Sequence, residues 1–123
     1  MSFYTFKPEY PEPFSLIHPL KVEQIRALAS EDMPNCIDTV ILFGSSLDLT
    51  CTPISDVDLY VLCDDEKKSY AHLHKLCKAL KIKADILTSD AETFMEEALD
   101  INSVERQVLN QGVVIYEKES NPA

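Results

Sequence analysis

The sequence predicts a single α/β (α+β) domain, on three observations. Short runs rich in β-branched and apolar residues alternate with stretches whose apolar residues recur at helical spacing. The runs end at turn-forming or capping residues, with no internal repeat and no linker between them. The chain has 123 residues, close to the commonest domain size and enough to bury a core.

Residues 1–18 carry Pro8, Pro11 and Pro13, with Phe3, Tyr4, Phe6, Tyr10 and Phe14 between them. Proline at that density favours extended backbone, and so many aromatics in a free tail would expose apolar surface. This arm is expected to lie against its own domain, or failing that against a partner chain. Pro19 suits the first turn of a helix. Val22, Ile25, Leu28 and Ala29 then recur at helical spacing to about Asp32, where Met33-Pro34-Asn35 breaks the pattern. Ile37 to Phe43 reads as a buried strand, and Gly44 ends it. Ser55 to Cys63 is a second strand. Asp64-Asp65-Glu66 places acids where a helix N-terminus favours them; that helix runs to about Leu80, with Tyr70, Leu73, Cys77 and Leu80 on its apolar stripe. His72 and His74 fall off the stripe and read as exposed. Lys81 to Leu87 is a third strand with Asp85 set inside it. Thr88-Ser89-Asp90 caps a helix to about Ala98, with Ala91, Phe94, Met95 and Ala98 on its buried side. A short helix over 101–110, Gly112 and a strand from Val113 to Tyr116 complete a domain of residues 19–118. Residues 119–123 read as a polar tail.

Charge and composition narrow the function classes. No run of eighteen apolar residues is present, so no membrane span is expected. The N-terminus lacks the basic and apolar regions of a secretory signal, which makes a cytoplasmic location the expectation. A net charge of −10 argues against a nucleic-acid partner, which needs a basic surface. It does not exclude a nucleotide, because a metal ion can bridge phosphates to carboxylates. Cys36, Cys51, Cys63 and Cys77 form no C-x-x-C pair and read as reduced packing thiols. Lys67, Lys68, Lys75, Lys78, Lys81 and Lys83 crowd one stretch, as the solvated face of a helix or as a patch for an acidic partner.

The residues that carry chemistry lie on the three inner runs. The first ends in Gly44-Ser45-Ser46, where glycine lets the backbone approach an anion and hydroxyl and N–H groups can hold phosphate oxygens. The second opens Ser55-Asp56-Val57-Asp58-Leu59. Residues i and i+2 of a strand share a face, so Asp56 and Asp58 project together and repel, and a divalent cation is the usual remedy. Asp85 on the third run supplies another carboxylate. Taken singly, Gly-Ser is a common turn, Asp-x-Asp is common on solvent faces, and an Asp between apolar residues can guard an edge strand. Their order is the specific signal.

Gly44-Ser45, then Ser55-Asp56-Val57-Asp58-Leu59, then Lys83-Ala84-Asp85-Ile86 resembles the nucleotidyltransferase signature of the DNA polymerase beta superfamily, most strongly over residues 36–90. At this length the chain looks like a minimal nucleotidyltransferase (MNT) domain protein. The resemblance implies a small mixed sheet of about four strands, with helices packed on one face and the active site along one edge. It implies that Asp56, Asp58 and Asp85 are catalytic and ligate Mg²⁺, with two ions and Asp58 bridging them. It implies that Gly44, Ser45, Ser46 and Ser55 hold the nucleoside triphosphate. An acceptor oxygen would attack the α-phosphorus of ATP and release pyrophosphate. Minimal nucleotidyltransferases of this kind pair with HEPN ribonuclease toxins and adenylylate a tyrosine on them, so the implied role is an antitoxin with a protein partner, in a homo- or hetero-oligomer. The sequence departs from the family pattern in one place: Ser46 to Pro53 has neither the usual arginine nor the second glycine, and Asp48 adds negative charge. The alternative reading is a module that neutralises or scaffolds a partner by contact alone.

Overall fold

A computed structural model describes residues 4–5, 17–18, 20–47 and 51–118. The rest of the expected N-terminal arm, and the tail 119–123, lie outside the described residues. One mixed sheet runs through the domain in the order β1-β5-β2-β3-β4. Its strands are β1 (Tyr4–Thr5), β2 (Ile37–Phe43), β3 (Val57–Cys63), β4 (Ala84–Ser89) and β5 (Val113–Glu117), with helices α1 (Val22–Ala29), α2 (Glu66–Ala79), α3 (Ala91–Glu97) and α4 (Val104–Gln111). The four longer strands are those expected; the short β1 pairs in parallel with β5.

Two pairings place the site. β2 and β3 are antiparallel, with Phe43 opposite Asp58. β3 and β4 are parallel, with Asp58 beside Asp85. β5 completes the interior by pairing antiparallel with β2.

Alternation along the strands divides the core in two. Val40, Leu42, Val57, Leu59, Val61, Val113 and Ile115 pack with Ile25 and Leu28 of α1 and Leu73 and Cys77 of α2. Ile41, Phe43, Tyr60, Leu62 and Val114 pack with Phe94 of α3 and Val108 of α4. The helices therefore cover both faces, where one-sided packing was expected. The physical reason is that the inner strands are apolar at nearly every position, so both faces need cover.

Other boundaries shift for local reasons. Lys81 has φ 59° and ends α2 in the left-handed conformation. Ile82 N–H donates back to the Cys77 carbonyl at 2.8 Å, so β4 opens only at Ala84. On α2, Ser69 is buried while Tyr70 is 46% exposed and stacks on His74. On α3, Phe94 and Ala98 are buried as expected but Ala91 and Met95 are exposed. All four cysteines are free thiols. Among the described residues no helix is long and apolar enough to cross a membrane.

The connection from α3 to α4 is ordered by hydrogen bonds. Ser103 Oγ accepts from Arg106 N–H at 3.0 Å and donates to the Asp100 carbonyl at 2.8 Å, capping α4. Ser103→Ala is expected to lower unfolding stability by about 1 kcal/mol, the usual worth of such a cap. Urea denaturation checks this; an unchanged midpoint would show that the cap does not hold the helix.

Candidate active site

β3 sends Val57, Leu59 and Val61 into the first core, so Asp58 and Tyr60 face the side of α3 and α4. On β4, Ala84 and Ile86 pack against the first core, which leaves Asp85 on the same side as Asp58. Asp56, just ahead of β3, is near enough to act on Asp58 through its charge. Asp58 is half-buried, and its pKa is raised above the ordinary carboxylate value, first by burial and then by the charges of Asp85 and Asp56. Lys83 Nζ lies 3.8 Å from Asp56 Oδ1, but it is largely exposed and solvent screens the pair.

Gly44 sits where β2 gives way to a 3₁₀ turn, Gly44–Leu47. Its φ of 80° is a conformation that side chains rarely adopt. A Cβ there would fall against Oδ2 of Asp58 and 3.1 Å from its Cγ. One glycine thus serves the turn and the close approach of the Asp58 carboxylate.

The serines divide. Ser45 is half-buried beside Gly44. Ser46 is fully buried, its Oγ has no hydrogen-bond partner among the described residues, and its carbonyl accepts from His18 N–H at 2.6 Å. In this arrangement the Ser46 hydroxyl is buried, whereas Ser45 keeps part of its surface exposed. Ser55 Oγ accepts from Thr52 N–H at 2.9 Å and lies 3.1 Å from Thr52 Oγ1, so this hydroxyl shapes the turn that leads to Asp56.

Two nearby residues carried no flag in the sequence. Lys21, only 4% exposed, sends Nζ to within 3.4 Å of the Pro53 carbonyl. A cation from ahead of α1 therefore reaches the end of the loop that lacks an arginine. Tyr60, two residues along the strand from Asp58, donates to Glu105 Oε2 at 2.8 Å, and its oxygen lies 3.1 Å from Ser89 Oγ. Its ring meets Phe94 edge-on, with centroids 5.1 Å apart. Burial leads the influences that push its phenol up to about 12, so it stays protonated and ties α4 to the sheet. Strand alternation places Tyr60 on the face of Asp58; nothing in the spacing announces Glu105.

The donor chemistry fits a divalent ion. Three carboxylates sit at one end of adjacent strands, and burial, followed by the charges of Asp85 and Asp56, disfavours the charged form of Asp58, a cost that an ion would offset. Their side chains are not drawn together: among the described residues no three acidic, histidine or cysteine side chains are grouped so as to hold an ion.

The chain belongs to the family described as "Polymerase beta, Nucleotidyltransferase", whose profile matches residues 23–121. Among solved structures, the chain is similar to one in a toxin-antitoxin complex with AMP-PNP, at 23% identity over 80% of this chain and 73% of that one, TM-score 0.48. It is also similar to one in a mutant MntA-HpeT toxin-antitoxin complex, at 20% identity over 80% and 73%, TM-score 0.47. A third is in a complex of tri-AMPylated Shewanella oneidensis HEPN toxin with MNT antitoxin, at 21% identity over 80% and 68%, TM-score 0.42. No curated protein matches the chain.

Proposed function

We propose that the chain transfers AMP from ATP to a protein hydroxyl in a Mg²⁺-dependent reaction, the acceptor being a tyrosine on a HEPN ribonuclease toxin that the transfer silences. The observation that carries this reading is the half-buried Asp58, set over Gly44 and under the charges of Asp85 and Asp56. A carboxylate trio of this kind costs stability in isolation and gains a use when cation and phosphate arrive together. Asp56, Asp58 and Asp85 would hold the metal, which when bound offsets phosphate charge. The main chain around Gly44 and Ser45 would lie under the phosphates. The tyrosine oxygen forms a bond to the α-phosphorus, the bond to the bridging oxygen breaks, and pyrophosphate leaves with that electron pair. Exposed Asp85 would take the tyrosine proton.

A second reading is favoured by a specific observation. Ser46 is turned inward and its loop carries no arginine, as suits a domain that acts on its partner by binding alone. One experiment separates the two. The chain is incubated with Mg²⁺, a HEPN toxin and ATP labelled at the α- or the γ-phosphate. Transfer predicts α-label on the toxin, no γ-label, and a loss of about 10²–10³-fold or more in Asp56→Asn/Asp58→Asn. Full silencing of the ribonuclease by that double variant, with no label on the toxin, would instead establish neutralisation by contact.

A further inference from the structure

The side of the sheet that carries Asp58 and Asp85 continues into a surface with its own character. Leu99 is 76% exposed and Ile101 75% exposed, in the turn between α3 and α4; Met95 of α3 is 42% exposed. Leu87, two residues beyond Asp85 on β4, is 41% exposed. These are large apolar side chains on an ordered support. Asn102 N–H donates to Asp100 Oδ1 at 2.9 Å, and Arg106 Nε donates to the Ala98 carbonyl at 2.6 Å, clasping the end of α3 to α4. The helices are in turn seated on the sheet through Phe94 against Tyr60 and Glu105 against the Tyr60 hydroxyl. Folding gains nothing from holding two such residues in water; a partner that covers them gains their burial with little ordering cost.

The charge around the patch says what covers it. Glu92, Glu96, Glu97 and Asp100 are all exposed, and no lysine or arginine occurs from residue 84 to residue 105. A second copy packed through this same surface would meet like charge, and a nucleic acid would be repelled. We propose that the α3–α4 turn and the adjoining side of α3 form the docking surface for the acceptor protein, taking a segment whose apolar side chains are flanked by lysine or arginine. This rests on the transferase reading for the acceptor's identity. The surface belongs to the same side of the sheet as Asp58 and Asp85.

The test uses binding, which requires neither ATP nor metal, so a failure of transfer would leave it intact and its own failure would leave transfer untouched. Fluorescence anisotropy at physiological salt compares a labelled amphipathic helical peptide of lysine and leucine with a lysine–serine peptide of equal charge. The lysine–leucine peptide is expected to bind at least roughly tenfold more tightly, the scale of a lost apolar anchor. Leu99→Ser/Ile101→Ser is expected to erase that difference, while Tyr70→Ser on α2 and Asp56→Asn/Asp58→Asn keep it. Leu99→Lys/Ile101→Lys provides a second variant at the same exposed positions and is expected to weaken both peptides. Equal binding of the two peptides to the wild-type chain would overturn the proposal. So would undiminished preference in Leu99→Ser/Ile101→Ser, or a wild-type dimer that this variant dissolves.

Discussion

Gly44→Ala is expected to lower the unfolding free energy by about 3 kcal/mol, combining the cost of a side chain at positive φ with overpacking. The two contributions have separate origins. At φ 80° any Cβ is strained by its own backbone, and here it would also be driven into the Asp58 carboxylate. Relief by swinging Asp58 aside would move that carboxylate from its place against Gly44. On the proposed transferase reading, the variant should therefore lose nucleotidyl transfer even under conditions where it remains folded. Ser45→Ala, one residue on, should change stability by less than about 1 kcal/mol, as surface substitutions usually do. Urea denaturation of the pair reads the difference; a Gly44→Ala midpoint equal to that of Ser45→Ala would refute the close-approach account.

Asp58→Asn carries the second large effect, and its two consequences have opposite signs. On the proposed transferase reading, transfer should fall by about 10²–10³-fold or more, because the amide cannot supply the charge that reaction would use. Stability should rise near neutrality. The sign follows from the raised pKa: the folded chain holds this proton more tightly than the unfolded chain does. The wild type is therefore favoured fully below the unfolded value, and that advantage is lost as pH climbs through the folded value. Asparagine has no such proton, so its gain should be present at neutral pH and should vanish as pH falls towards the ordinary carboxylate value of 3.8. Thermal melts of both chains in a chelator across that range test it. A variant less stable than wild type at every pH would mean that Asp58 makes a favourable contact which its burial and acidic neighbours do not reveal.

Much of the fold was legible because it follows from apolar periodicity. Ile37–Phe43 is a strand with the expected bounds, and the four longer strands appear where β-branched runs predicted them. The alternation of Asp56 and Asp58 could be read for the same reason, since a period of two is local. What could not be read depends on neighbours far along the chain. Alternation in Val40–Phe43 does not say that α3 and α4 will cover the face that α1 and α2 leave bare. Met95 fits the apolar stripe of its helix, yet it lies outside the contact made by Phe94. For Gly44 the motif is visible, but its reason, a carboxylate from the next strand pressed against it, is a matter of tertiary approach. Adjacency in the chain does not separate Ser45 from Ser46; the 3₁₀ turn buries the second of them and leaves the first half-buried.

The order of the sheet bears on how the chain is made. β5 is synthesised after the other described strands, yet it occupies an interior position between β1 and β2. At a typical ~5–20 residues per second, β2 and β3 emerge several seconds before β5 does. Through that interval the outer edge of β2, from Thr39 to Leu42, has no strand to pair with. A row of free N–H and C=O groups on an apolar strand invites pairing with other nascent chains. The nascent domain is thus most exposed to misassembly until β5 emerges, and a chaperone that shields β2 on the ribosome would do most of its good in that interval.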